Sequence, residues 1–219
     1  MLALDTATPA MTVALHDGSR VLAGRVTVSS RGHGELLAAM IERVLTQAGA
    51  VRGDLDAIAV GTGPGPYTGM RAGLVTARVL ASALAVPAVG VCTLDVIARG
   101  AIGAAGGREF VVASDARRKE VYWARYTPAG ERAGDPAVAL PGVLAEQIGP
   151  DCPVAGQGPE LYPELAGPAI PPPYPDAGLL AEIAWRRLAL GVPGGPPEPL
   201  YLRRPDARVP GKPKRVTPA

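Results

Sequence analysis

The chain has 219 residues, of which 47% are hydrophobic and 19% charged, and its formal net charge is +2. This composition excludes intrinsic disorder as the main description, and no apolar run approaches the roughly 18 residues of a membrane-spanning helix. The first residues lack the basic start of a signal peptide, and two cysteines are too few for a disulfide framework. We therefore expect a cytoplasmic protein with reduced thiols.

The first half of the chain alternates between strand and helix patterns. Asp17-Gly18 between two apolar runs predicts a β-hairpin, and Thr93 is the expected N-cap of a later helix. This order is typical of an α/β layer in which helices pack on a mixed sheet. The predicted elements are strands over 2–6, 12–15 and 21–28, a helix over 34–47, a strand over 55–60, a helix over 68–84, a strand over 86–91 and a helix over 93–104.

The second half opens like the first. Asp115 closes an apolar strand just as Asp5 does, 110 residues earlier, and a further extended segment follows each acid. This echo predicts a duplicated domain, with coincidence as the alternative. The remaining predicted elements are strands over 110–115 and 121–126, a weak helix over 143–148 within the Pro/Gly-rich stretch 135–175, an amphipathic helix over 177–190 and an extended segment over 200–202.

The glycine-rich segment Gly61–Gly69 does not fit a phosphate-binding loop. It contains no Gly-Lys-Ser/Thr, and Pro64 and Pro66 remove two backbone donors that a phosphate cradle would use. We interpret the segment as a rigid strand-to-helix turn whose glycines allow close packing.

The segment Asp5-Thr6-Ala7-Thr8 offers a second candidate for phosphate chemistry. Asp5 could orient a hydrated cation, and the hydroxyls of Thr6 and Thr8 could donate to a phosphate. The alternative is a turn in which these side chains satisfy their own backbone. A kinase-like ATPase would use Asp5 together with Asp115.

Metal binding has little support in the sequence. Only two histidines are present: His16 lies in a hairpin turn, and His33 precedes a helix. A pair of histidines one helical turn apart, as in zinc peptidases, is absent. We expect no metal site, and we interpret His33 as a helix-start or interface residue.

The helix predicted over 68–84 carries a strip of small residues. Gly69, Gly73, Ala77 and Ala81 recur every four residues, and a glycine within a helix costs about 1 kcal/mol relative to alanine. Such a strip lets another helix approach closely, either the chain's own helix over 34–47 or one of another molecule; burial within the monomer is the alternative. If the strip contacts another molecule, Gly73→Leu would block dimer and partner binding and leave the monomer folded.

Five segments, in order, match a family known from bacteria. Together they extend from residue 2 to about residue 207, and the chain resembles the TsaB (YeaZ) family. The segments are Leu-Ala-Leu-Asp-Thr-Ala-Thr at the start, Gly-Thr-Gly-Pro-Gly-Pro-Tyr-Thr-Gly-Met-Arg-Ala-Gly at 61–73, Val-Cys-Thr-Leu-Asp at 91–95, Asp-Ala-Arg-Arg-Lys-Glu-Val-Tyr-Trp-Ala at 115–124 and Pro-Leu-Tyr-Leu-Arg-Arg-Pro-Asp-Ala at 199–207.

The resemblance implies an α/β fold of the actin, sugar-kinase and Hsp70 type, with two related lobes of mixed sheets flanked by helices and a reduced second lobe. It implies a non-catalytic scaffold in tRNA threonylcarbamoyladenosine modification. Such a subunit forms homodimers, supports a catalytic TsaD-type paralogue and works beside a TsaE-type ATPase. ATP and metal would belong to these partners, so no cofactor of its own is expected, and tRNA would be contacted indirectly. The older peptidase label is disfavoured because the histidine pair is absent.

The resemblance also implies roles for particular residues and regions. Asp5, Thr6 and Thr8 would form a vestigial nucleotide site. We divide the chain into a first lobe over 1–105, a second lobe over 106–207 and a basic tail over 208–219, which is expected to be a solvated end or, alternatively, to touch RNA phosphates. The predicted partner or dimer interface comprises Leu36, Met40, Val44, Gly69, Met70, Arg71, Gly73, Leu74, Ala77 and Arg78.

Overall fold

The computed structural model describes residues 1–29, 33–191 and 195–203, with the side chains of residues 33–35 excepted. The predicted basic tail over 208–219 lies outside the described residues. The elements are strands β1 (Leu2–Asp5), β2 (Ala10–His16), β3 (Val21–Val28), β4 (Ile58–Gly61), β5 (Ala88–Val91), β6 (Phe110–Asp115), β7 (Val121–Tyr126), β8 (Ala137–Ala139) and β9 (Val154–Ala155), and helices α1 (His33–Ala48), α2 (Tyr67–Leu84), α3 (Thr93–Ala105), α4 (Pro141–Ile148), α5 (Gly158–Leu161) and α6 (Ala177–Ala189).

The strands form two mixed sheets with the same topology. The first has the order β3-β2-β1-β4-β5, and the second has the order β8-β7-β6-β9. In each, the first two pairings are antiparallel and the strand that follows the helical crossover pairs in parallel. Within the described part of the chain, the second sheet lacks a counterpart of β5. The duplicated α/β fold with a reduced second lobe is therefore confirmed.

Helices cover the first sheet on both faces because its strands are apolar on both sides. Leu2 and Leu4 of β1 point to the face covered by α1 and α2, whereas Ala3 points to the opposite face, which α6 covers with Leu180 and Ala184. A helix from the second half of the sequence thus completes the core of the first lobe. The division at residue 105 stays a prediction.

The second sheet is covered on one face by α3, whose Ile97 and Ala101 pack with Phe110 and Tyr126. On the other face, Leu144 of α4 packs with Val111 and other apolar residues. Strands β8 and β9 lie in the stretch that was predicted to hold only one weak helix. They have three and two residues, too short for a periodic pattern, and their pairing with β7 and β6 defines them.

None of the described helices has both the length and the apolar content that crossing a membrane requires.

Candidate functional site at the cleft between the lobes

Asp5 lies fully buried at the end of β1. Its Oδ1 accepts a hydrogen bond from the Ala7 N–H at 2.7 Å, and its Oδ2 accepts one from the Thr93 hydroxyl at 2.7 Å. Burial raises the pKa of Asp5 to about 6, against the opposing effect of these hydrogen bonds. Asp5 is therefore held at the centre of a cluster that joins β1 to α3.

Thr93 was predicted to cap α3, and this prediction is wrong. Cys92 occupies the N-cap position and Thr93 is the first helical residue. The Thr93 hydroxyl is used elsewhere: it donates to Asp5 and accepts from the Gly63 N–H at 3.1 Å. The hydroxyl gives the buried carboxylate a hydrogen-bond partner, which lowers the cost of burying a polar group.

The two predicted phosphate-binding hydroxyls also have partners within the chain. The Thr6 hydroxyl donates to the Gly69 carbonyl at 2.7 Å and accepts from the Gly73 N–H at 3.0 Å, so it is inserted into the hydrogen-bond ladder of α2. The Thr8 hydroxyl donates to the Ala10 carbonyl at 3.1 Å. The polar groups of Asp5, Thr6 and Thr8 thus hold the fold around the β1–β2 turn.

The loop between β4 and α2 packs directly on this turn. A Cβ at Gly61 would lie 1.9 Å from Asp5 Oδ2, and a Cβ at Gly65 would lie 2.0 Å from the Ala7 carbonyl oxygen. Any larger side chain would displace the loop from β1. These glycines are packing glycines, as the sequence predicted.

Asp115, the counterpart of Asp5 in the second lobe, faces a different environment. Its Oδ1 accepts from the Arg117 N–H at 2.8 Å and from the Tyr162 hydroxyl at 2.9 Å. Asp115 lines a small cavity together with Thr8 and Arg117, but Asp5 lines neither of the cavities at the cleft. Of the two carboxylates, Asp115 borders the cleft, whereas Asp5 is fully buried behind the β1–β2 turn.

The larger cavity of the cleft has a volume of about 270 Å³. Its walls come from the β1–β2 turn, from the first turn of α2 with Tyr67 and Thr68, and from Arg117 of the second lobe. Tyr67, Thr68 and Arg117 were not among the predicted site residues. The run Arg117-Arg118-Lys119 between two predicted strands could have indicated that one side of this cleft is basic. In the described residues, no group of three histidine, cysteine or acidic side chains is placed to hold a metal ion.

The predicted interface residues divide into two sets. Leu36, Arg71 and Arg78 are exposed. The small-residue strip packs inside the monomer, since a Cβ at Gly73 would lie 2.5 Å from Thr6 Oγ1 and 3.3 Å from a Leu4 methyl carbon. This packing argues against the expectation that Gly73→Leu would leave the monomer folded. The buried set comprises Met40, Val44, Gly69, Met70, Gly73, Leu74 and Ala77.

Two valines on the outer face of α2 were not among the predicted interface residues. Val75 is 58% exposed and Val79 is 61% exposed, and they are one helical turn apart. Arg71 lies one turn before Val75, and Arg78 directly precedes Val79. Leu36 on the adjacent helix α1 is 39% exposed. A partner docking on this helix pair would contact these residues rather than the strip beneath them.

The segment over 195–203 crosses from one lobe to the other. It begins on the first sheet, where the Gly90 N–H donates to the Gly195 carbonyl at 2.8 Å, and continues over the glycine-rich loop, where Leu200 N–H donates to Thr62 O at 2.8 Å. It ends at Arg203, which forms an ion pair with Glu120 of the second lobe. The segment therefore connects the two lobes at the mouth of the cleft.

The duplicated sheets and the cleft between them define a two-lobed α/β protein of the actin, sugar-kinase and Hsp70 type. The family model for "TsaD: tRNA N6-adenosine threonylcarbamoyltransferase" matches residues 27–154, more than half of the chain. The TsaB protein of Escherichia coli, a tRNA threonylcarbamoyladenosine biosynthesis protein, is 34% identical over 234 residues, covering 97% of this chain and 99% of that protein. The chain belongs to the TsaB (YeaZ) family.

Two further comparisons agree with this assignment. The solved structure of YeaZ from Pseudomonas aeruginosa superposes with a TM-score of 0.74 at 34% identity, covering 92% of this chain and 98% of that one. An uncharacterised protein of Mycobacterium tuberculosis is 44% identical over 212 residues, covering 95% of this chain and 93% of that protein.

Proposed function

We propose that this chain is a non-catalytic scaffold subunit in tRNA threonylcarbamoyladenosine biosynthesis and that it binds and activates a catalytic subunit of the TsaD family. Membership in the TsaB family supports the pathway, because named relatives are threonylcarbamoyladenosine biosynthesis proteins. The match to the TsaD family model supports a paralogous relation to the catalytic subunit.

The exposed apolar face of α1 and α2 is the observation that carries the scaffold role. Val75 and Val79 are exposed one turn apart on α2, beside the exposed Arg71 and Arg78, and Leu36 is exposed on the adjacent helix α1. An apolar patch with charged residues beside it is typical of a helix-mediated interface. The buried residues Gly69, Gly73 and Ala77 lie on the opposite side of α2 and allow this helix to pack closely on the first sheet.

The polar groups of the cleft support a structural role. The carboxylate of Asp5 and the hydroxyls of Thr6 and Thr8 each have a partner within the chain. A catalytic group needs access to its substrate, and the side chain of Asp5 is fully buried. The catalytic chemistry, with its ATP and metal, is accordingly assigned to the partner subunits.

The same helix face provides the contacts for a homodimer. A surface that pairs with a paralogous chain can also pair with its own copy, since the paralogue and the copy share one fold. A TsaE-type ATPase is proposed as the third component of this cytoplasmic assembly.

The test is a double substitution, Val75→Glu with Val79→Glu, in the full chain. We expect capture of a TsaD-family protein from the same organism to fall at least tenfold, and threonylcarbamoyladenosine formation in the reconstituted system to fall with it, because two carboxylates would have to be buried in an apolar contact. Pull-down and nucleoside analysis measure the two quantities.

The matched control is Val143→Glu on α4, where the native valine is 46% exposed on the second lobe. It introduces the same side chain at an exposed helical position, and both binding and modification should be retained. Equal binding by the double variant and the control would contradict the proposed interface.

A further inference from the structure

Basic side chains collect at the mouth of the cleft from both lobes. Arg71 comes from α2, Arg203 ends the C-terminal segment, and Arg117, Arg118 and Lys119 form the turn between β6 and β7. Among the described residues, Asp115 lies 3.4 Å from Arg117 Nη1, and Glu120 pairs with Arg203. Five basic side chains therefore come to this surface from the two lobes.

Direct contacts and a shared cavity connect the two sides of this patch. The Arg71 guanidinium lies 4.0 Å from the ring centroid of Tyr67. Tyr67 and Arg117 line the same cavity, and Arg203 Nη1 lies 3.4 Å from the Ala116 carbonyl oxygen, next to the basic turn. The C-terminal segment thereby places the charges of the two lobes on one surface, which we call the cleft-mouth patch.

Two tyrosines are interleaved with these charges. The rings of Tyr67 and Tyr201 stack at 5.7 Å with an interplanar angle of 21°, and Arg71 Nε donates to the Tyr201 hydroxyl at 3.0 Å. Despite this stacking, Tyr67 is 50% exposed and Tyr201 is 40% exposed. The rings are held by this stacking and by the hydrogen bond, and they still offer surface to a further planar group.

The basic turn has an unusual backbone. Arg117, Arg118 and Lys119 have φ values of 61°, 57° and 61°, in the left-handed region that L-residues with large side chains disfavour. Asparagine would suit this conformation better. Long cationic side chains stand at these positions despite the conformational cost, which is consistent with a use for their charge.

We propose that the cleft-mouth patch binds RNA directly, through its phosphates and through an unpaired base that stacks on the tyrosine pair. This inference rests on the proposed function, which puts the chain in a tRNA-modifying assembly, and it differs from the indirect tRNA contact that the family resemblance implies. Basic side chains interleaved with exposed aromatic rings are the combination by which proteins hold single-stranded nucleic acid. Five further basic residues follow Arg203 in the sequence, against one acid.

An acidic protein is the other polyanion that such a patch could attract, and the tyrosine pair favours RNA. Charge complementarity alone would be satisfied by the five cations. Stacked, exposed rings bound to an arginine add a planar surface that suits a base and that an acidic peptide does not require.

The experiment measures fluorescence anisotropy of a labelled unmodified tRNA transcript and of a short labelled single-stranded RNA at several salt concentrations. The full chain is compared with the triple variant Arg117→Asn, Arg118→Asn and Lys119→Asn. We expect the variant to bind about tenfold or more weakly near physiological salt, and the slope of log affinity against log salt to fall by about two, since each phosphate contact contributes about 0.7 for single strands.

A second variant, Tyr201→Leu, tests the stacking platform. It should weaken binding of the single-stranded RNA severalfold and leave the salt slope unchanged, because a ring contact releases no counterion. The charge-matched control is Arg20→Gln, Arg25→Gln and Arg186→Gln, which removes three exposed cations from the hairpin between β2 and β3 and from α6, away from the patch. It should retain both affinity and slope.

Capture of the TsaD-family subunit is measured for every variant, so that the two proposals can fail separately. Unchanged RNA binding by the triple variant, or an equal loss in the control, would overturn the RNA-binding surface and leave the scaffold role intact. Capture of the partner that fails for the triple variant while RNA binding persists would also overturn it, since the patch would then be a protein interface. Failure of the native chain to capture the partner would refute the scaffold role itself.

Discussion

At the scale of single residues, Asp5 shows how a side chain suited to phosphate chemistry can serve the fold instead. An acid after a first strand is a reasonable place for a cation ligand. Here the Ala7 N–H and the Thr93 hydroxyl occupy its two oxygens, and Gly61 lies against it without a side chain. Burial in this cluster raises the pKa of the carboxyl to about 6.

This raised pKa predicts a pH dependence of stability. The folded state binds the Asp5 proton more tightly than the unfolded chain, whose value is near 3.8, so the stabilising contribution is complete below pH 3.8 and is lost as the pH rises through about 6. The change is on the order of 3 kcal/mol at about 1.4 kcal/mol per pKa unit. Urea unfolding should show Asp5→Asn gaining stability relative to the native chain between pH 4 and pH 7.

Because the other carboxylates titrate in both proteins, their effect on stability cancels when the variant is compared with the native chain. A stability difference that is the same at both pH values would contradict the raised pKa. The same variant should support tRNA modification to within about twofold, because Asp5 has no access to substrate; a hundredfold loss, about 2.7 kcal/mol at the transition state, would make Asp5 catalytic.

At the scale of elements, α2 has two faces with different tasks. Its small residues lie on the first sheet, where Thr6 enters the hydrogen-bond ladder between Gly69 and Gly73. Its outer face exposes Val75 and Val79. The period of four was read correctly, but a strip of small residues is equally compatible with a sheet and with another helix, because either requires close approach.

Substitution of two helical glycines should distinguish the effect of close packing on stability from the effect of helix propensity. Gly73→Ala places a Cβ 2.5 Å from Thr6 Oγ1, and we expect it to lower the free energy of unfolding by about 1–3 kcal/mol through overpacking. Gly103→Ala in α3 meets no atom within 4 Å and should raise that energy by about 0.5–1 kcal/mol, as the helix gains propensity. Chemical denaturation measures both.

Gly73→Ala at native stability would show that β1 and α2 can separate without cost. In that case, the packing of the small-residue strip inside the monomer would not be required for stability, and the strip would again be a candidate for the partner interface.

At the scale of the whole molecule, the two lobes are tied together by elements that cross between them. Helix α6 follows the second sheet in the sequence and packs on the first. Helix α3 leaves the first lobe and packs on the second sheet. The segment over 195–203 returns across the cleft to end at Arg203, beside Glu120.

The crossing of α6 predicts that damage to it is felt in the first lobe. Leu180 is fully buried against that lobe, so Leu180→Ala should cost about 2–5 kcal/mol and accelerate amide hydrogen exchange in β1 and β4. Leu144→Ala, at an equally buried position on the second sheet, should cost a similar amount and accelerate exchange in β6 and β9 instead. Identical exchange patterns in the two variants would contradict this assignment.

The sequence by itself determined the long elements, the α/β class and the duplication. Apolar runs, helical periodicity and turn residues are local properties, and the repeated strand that ends at Asp5 and at Asp115 is visible without coordinates. The matched segments also indicated the family, which the comparisons confirmed.

Only the tertiary structure decided which groups meet. Thr93 reaches Asp5 across 88 residues of sequence, Tyr201 reaches Arg71 across 130, and β8 and β9 are strands only because longer strands pair with them. A sequence pattern specifies that a face is apolar or small, whereas the element that covers it is selected by packing among distant segments. For this reason, the buried strip of α2, its exposed valines and the cleft-mouth patch could be distinguished only in three dimensions.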